Sequence, residues 1–202
     1  YMAGTASGTS LSLDTSAGHI VFDGNQAGSN ANSLYLDKNV AVNVSGSGRY
    51  NVYFNDPLTG GTEGGNSFNK AGEGFVQFNG DNVLNAGGAG GLVNVTGGVF
   101  RVVGGASFSD NGTGGSFVLG QGATLAGGGT LKSDSFIISG ILSPDADTFI
   151  KPEGVGGGSV DPANDQVATG KEIATLTIKG NTTLNVAPRN VDLGGSGTDD
   201  LV

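Results

Sequence analysis

The chain of 202 residues has no cysteine, no tryptophan, a single histidine and five prolines. Without cysteine there is no disulfide framework. With only His19 to serve as base, a Ser-His-Asp triad has one candidate member, and no G-x-S-x-G or G-D-S-G phrase supplies its nucleophile. His19 therefore reads as an exposed or half-buried strand residue. No apolar run approaches ~18 residues, so nothing here spans a bilayer as a helix. No signal peptide is legible: Tyr1 begins mid-pattern and the alternation of Leu11 and Leu13 follows at once, which reads as a piece of a longer exported protein. Basic residues are sparse, nine Lys+Arg scattered singly against 18 Asp+Glu, for a formal charge of −9. That excludes a nucleic-acid groove, which needs a basic stripe, and disfavours an anionic membrane surface.

Glycine is abundant, with 40 residues, yet it follows no G-X-Y period, so a collagen helix is excluded. An apolar fraction of 36% and a mean hydropathy of −0.03 are too apolar for a disordered chain. No stretch of helical length escapes glycine while holding a 3.6-residue period. Short β-prone runs closed by Gly, Asn or Ser are everywhere, most densely over residues 91–142. Within them apolar and polar positions alternate: Val93 and Val95 flank Asn94, Phe100 and Val102 flank Arg101, and Phe117 and Leu119 flank Val118. Further strand candidates lie at 11–13, 19–22, 34–36, 40–44, 50–54, 75–78, 130–138, 174–178 and 183–186. In 40–44 Val40, Val42 and Val44 point inward; in 50–54 Tyr50, Val52 and Phe54 do, with Asn51 and Tyr53 outward. In 130–138 Phe136 and Ile138 point inward, Ser135 and Ser139 outward, and Ile137 is out of pattern.

Strands this short must stack to bury a face. The fold class expected is all-β, a parallel β-helix of roughly eight to ten coils at about 20 residues each, with a β-sandwich as the alternative. Asp23-Gly24, Asn79-Gly80 and Asn111-Gly112 are hairpin-type turns that favour the sandwich. The absence of an evident aromatic core cluster, and connectors that vary in length without disturbing the pattern, favour the solenoid. Residues 1–202 read as one solenoid fragment. Two segments read as loops, 56–72 and, more clearly, 151–172, which holds two prolines and almost no large apolar group. Their acidic residues Asp56, Glu63, Glu153, Asp161 and Asp165 are the candidate binding positions. Residues 194–202 fit one copy of a calcium nonapeptide with Asp199 as ligand. A single copy gives half a site, so no tight metal site and no cofactor are expected. The carboxylate pairs Asp145/Asp147, Asp161/Asp165 and Asp199/Asp200 are what a β-helical polysaccharide lyase or glycosidase would use, but none has a clear basic partner in a neighbouring phrase. The glycine clusters at 87–91 and 127–129 lack the Lys-Ser/Thr of a phosphate loop.

The order of phrases resembles the passenger repeats of Gram-negative autotransporters. NKAGEGFVQFNGDN (69–82) is similar to the family's K-x-G-x-G-x-x-x-F/L-x-G-x-N phrase, and VNVTGGVFRVVGGASF (93–108) to the strand, Gly-Gly, strand and turn that come next. GGTLKSDSFIISGILSPD (128–145), IATLTIKGNTTL (173–184) and GGSGTDDLV (194–202) resemble the phrases after that. The likeness covers 69–202; residues 1–68 match only in style. It implies a right-handed parallel β-helix, exported through the outer membrane by a C-terminal barrel and placed near the membrane-proximal end of a passenger. The role expected is a cell-surface stalk or adhesin; the single histidine and missing nucleophile phrase argue against an enzyme, and the partners expected are a host-cell, matrix or glycan receptor, or self-association. One departure is the intervening 151–172, where the family runs almost directly from L-S-P-G into I-G-T-L. The barrel is not among these residues, and the alternative function is a carbohydrate-active β-helix enzyme.

Overall fold

The computed structural model describes residues 8–23, 33–46, 50–144 and 175–184. The chain winds through these in repeating three-strand coils. The first coil is β1 (Thr9–Asp14), β2 (Ile20–Phe22) and β3 (Leu34–Lys38), and the second is β4 (Val40–Ser45), β5 (Val52–Phe54) and β6 (Leu58–Gly64). There follow β7 (Ser67–Lys70), β8 (Phe75–Phe78) and β9 (Asp81–Asn85), then β10 (Leu92–Val95), β11 (Val99–Val102) and β12 (Ser107–Asp110). After β13 (Ser116–Leu119) and β14 (Thr124–Ala126) comes the long β15 (Thr130–Ile138), then β16 (Ile141–Ser143) and β17 (Thr177–Leu184).

Every pairing between these strands is parallel, and each strand pairs with its counterparts one coil below and above. Three columns result. The first is β1-β4-β7-β10-β13, the second β2-β5-β8-β11-β14-β16, and the third β3-β6-β9-β12. Strand β15 belongs to two of them: Thr130–Lys132 extends the third column beside β12, and Ser135–Ile138 extends the first beside β13. It thereby joins those columns into one 11-stranded sheet, while the second column is a separate six-stranded sheet. Such a topology is a parallel β-helix and excludes the sandwich, because the strands on either side of Asn79-Gly80 and of Asn111-Gly112 pair with neighbouring coils and not with each other; Gly24 lies outside the described residues.

Most of the described coils are longer than the roughly 20 residues expected. From Val42 to its partner Phe68 is 26 residues, from Phe68 to Val93 is 25, and from Val93 to Phe117 is 24. The next step, from Phe117 to Phe136, takes 19 residues, because β15 runs from the third column into the first as one strand; the described strands complete six turns. Six turns span roughly 25–30 Å of axis.

Inward side chains form ladders. Leu11, Val42, Phe68, Val93, Phe117 and Phe136 stack in the first column, and Ile20, Val52, Val76, Phe100 and Leu125 in the second, where Leu142 is the next register partner but is exposed. The absence of an aromatic core cluster is overturned. Phe22, Phe54 and Phe78 stack face to face at 4.6 and 5.0 Å, and Phe78 meets Phe100 at 5.0 Å and Phe108 at 4.7 Å. Phe68, Phe117 and Phe136 complete this axial stack. These rings lie far apart in sequence, so only the winding brings them together. Phe136 and Ile138 are buried as the alternation predicts, while Ile137 is exposed.

A second correction concerns 56–72. Most of this segment is the two strands β6 and β7 rather than a loop. The glycines that suggested a loop stand where backbones crowd: a Cβ on Gly60 would collide with the carbonyl of Leu84 in the next coil.

Candidate functional site

The expected binding positions are not gathered into one place. Asp56 is half-buried just before β6, where its N–H donates to the carbonyl of Phe22 at 2.9 Å. Glu63, near the other end of β6, is exposed and forms an ion pair with Lys38. That hydrogen-bonded carboxylate raises the Lys38 ammonium above its ordinary value. Glu153, Asp161, Asp165 and Asp199 lie outside the described residues, as do Asp145, Asp147 and Asp200. Among the described residues no group of three or more His, Cys, Asp or Glu could hold a metal ion.

Polar side chains instead concentrate at the corners and along the coils, bound to the chain itself. At the corner between the third and first columns, Asn66 Oδ1 accepts from the N–H of Val40, and its Nδ2 donates to the carbonyls of Leu36 and Leu84. One coil on, Asn85 Oδ1 accepts from the N–H of Asn66, and its Nδ2 donates to Asp110 Oδ1. The buried Asp110 carboxylate also accepts from the N–H groups of Gly91 and Gly112, at 2.7 and 3.1 Å. Asn82 does the same work at the preceding corner, accepting from the N–H of Leu58. Each amide thus satisfies backbone groups that the turning chain leaves without a ladder partner.

Lys70 stands in an inward position, between Val44 and Val95 in register. Its stem is buried and its Nζ lies 3.0–3.2 Å from the carbonyls of Ala71, Gly72, Glu73 and Gly97. Burial lowers its ammonium to about 8. The phrase beginning at Lys70 is therefore a corner in chemical form. Lys70 gathers the carbonyls, Gly72 and Gly74 take φ of 70° and 73°, Phe78 enters the core, and Asn82 closes the next corner.

The outer face of the second column gathers aromatic and planar polar side chains. Tyr53, Gln77 and Arg101 are register partners pointing away from the hydrophobic cluster, yet they are 0%, 0% and 4% exposed. Arg101 donates to Gln77 Oε1 at 3.2 Å and Gln77 to Asn79 Oδ1 at 2.7 Å; Asn79 donates to Asn55, and Asn55 to Asp23 Oδ2 at 3.3 Å. This relay crosses four coils. Beside it His19 meets Tyr50 edge-on at 5.3 Å and Tyr53 at 5.8 Å, and Tyr53 meets Phe75 at 5.3 Å. His19 Nδ1 accepts from the N–H of Asn51 at 3.1 Å, so the imidazole is half-buried and partly committed to a corner.

Comparison with protein-family models, curated proteins and solved structures finds no match.

Alternation placed Tyr53 outward, and it does leave the core, but its burial there was not legible. A signal did exist: Tyr53, Gln77 and Arg101 are spaced by 24 residues, the coil length of this region.

Proposed function

We propose that this chain is a structural β-helix stalk of a bacterial surface protein, exported through the outer membrane like the passengers it resembles. Its role is to extend a stiff rod and present lateral faces to a host-cell, matrix or glycan receptor, or to another copy of itself. One observation carries the reading. The buried groups that an enzyme would aim at a substrate, Lys70 and Asp110 above all, are bonded to this chain's own backbone and amides. Chemistry of that kind stabilises coils rather than polarising a ligand.

With 56–72 folded into strands, a lateral face becomes the presenting surface. The first column offers one: Asn43, Asn69 and Asn94 stand in register and half-exposed on its outer side, with Asn69 Nδ2 donating to Asn43 Oδ1 at 2.9 Å. Rows of amides at the strand repeat suit a regular polar partner such as a glycan chain. A second reading, a carbohydrate-active enzyme, draws on the aromatic and planar polar side chains of the second column.

The purified chain should bind cells or a glycan array without turning over glycans, esters or peptides, and Asn69→Asp with Asn94→Asp should weaken that binding. Turnover abolished by a single Asp or Glu substitution would contradict the stalk. Undiminished binding in the double variant would remove this face.

A further inference from the structure

We propose that Asn111-Gly112 is a self-modification site, at which the folded chain converts Asn111 through a cyclic imide into aspartate and isoaspartate. Three groups converge there. Gly112 is the nucleophile: its backbone nitrogen carries no side chain to hinder attack on the preceding carboxamide, and its N–H points at Asp110 Oδ1, 3.1 Å away. Lys132 Nζ donates to Asn111 Oδ1 at 2.8 Å, across from the third column. A base at the attacking nitrogen and a cation at the oxygen that becomes negative are the two aids an acyl-transfer step needs. Asn111 is exposed, so water reaches the product, whereas Asp110 is buried and held by Asn85 Nδ2 and the N–H of Gly91.

The step balances within the chain. Gly112 N bonds to Asn111 Cγ as its proton passes to Asp110, and the carboxamide oxygen takes up negative charge facing Lys132. Collapse breaks the Cγ–Nδ2 bond, and the nitrogen leaves as ammonia with the proton returned from Asp110. Water then opens the five-membered imide at either carbonyl, giving aspartate or isoaspartate at 111. An aspartate there faces Lys132 as an ion pair. An isoaspartate lengthens the main chain at the corner between β12 and β13, where the N–H of Asn111 donates to Asn85 O and that of Thr113 to Gly88 O.

Asn79-Gly80 is the control within the same chain. There the carboxamide is held by neutral amides, Gln77 Nε2 on its oxygen and Asn55 Oδ1 on its nitrogen.

The test is time-resolved peptide mapping of the folded chain at neutral pH, with isoaspartate detection. Asn111 should convert at least about tenfold faster than Asn79. Unfolding in urea should bring the two rates together. Lys132→Met, at an exposed position, should slow Asn111 about tenfold without changing Tm, while Lys132→Arg should keep most of the rate. Three results would each overturn the proposal: equal rates at Asn111 and Asn79 in the folded chain, an unchanged rate in Lys132→Met, or ammonia loss that leaves residues 111 and 132 covalently joined.

Discussion

A charged residue facing the core needs a reason, and Lys70 has four carbonyl oxygens as its reason. Burial nonetheless lowers its ammonium from 10.5 to about 8, so the folded chain holds this proton less tightly than the unfolded chain does. Stability then rises with pH from about 8 to 10.5 and is lost again on acidification through 8. The carbonyl contacts favour the charged form and blunt the effect, which is at most about 3 kcal/mol. Lys70→Met keeps the buried stem and removes the titration. Wild type should gain on this variant between pH 8 and 10 in denaturant melts, and parallel pH profiles would show that another group titrates. Asn66 presents the complementary case, because Asn66→Ala strands the N–H of Val40 and the carbonyls of Leu36 and Leu84 in the interior. A loss of about 2–4 kcal/mol is expected, read as a shift in the urea midpoint at constant slope.

At the scale of the element, β15 shows how one strand serves two columns. Its register shifts between Lys132 and Ser135, and beyond that shift Phe136 and Ile138 enter the core beside Phe117 and Leu119. Ile138→Asp would bury an unpaired charge, 3% exposed in the parent, and should cost on the order of 3 kcal/mol or more. An unchanged Tm would show that the side chain does not face inward. The direction of Phe136 and Ile138 was legible because alternation survives the corner. Strands β6 and β7 were not legible, because the glycines at 60, 61 and 64 stand against neighbouring backbone where a side chain would not fit. In sequence that close approach has the composition of a loop. The aromatic stack was hidden for a different reason: its rings come from three columns and are adjacent only along the axis. The corner roles of Asn66, Asn85 and Asp110 were likewise hidden, since asparagine and aspartate have the same composition signature in any turn.

For the whole molecule, the coils stack parallel and in register along one axis, and the first column keeps a half-exposed outer face. The cysteine-free chain allows a direct test of that stacking. Asn43, Asn69 and Asn94 lie on the outer side of the first column, each the register partner of the next. Neighbouring strands stand about 4.8 Å apart, within the Cα separation a disulfide tolerates, whereas two coils span about 9.6 Å and exceed it. Asn43→Cys with Asn69→Cys, and Asn69→Cys with Asn94→Cys, should therefore cross-link on mild oxidation within one chain. Asn43→Cys with Asn94→Cys should stay reduced. Efficient cross-linking of the 43/94 pair, or none in either adjacent pair, would contradict the coil register and the rod built on it.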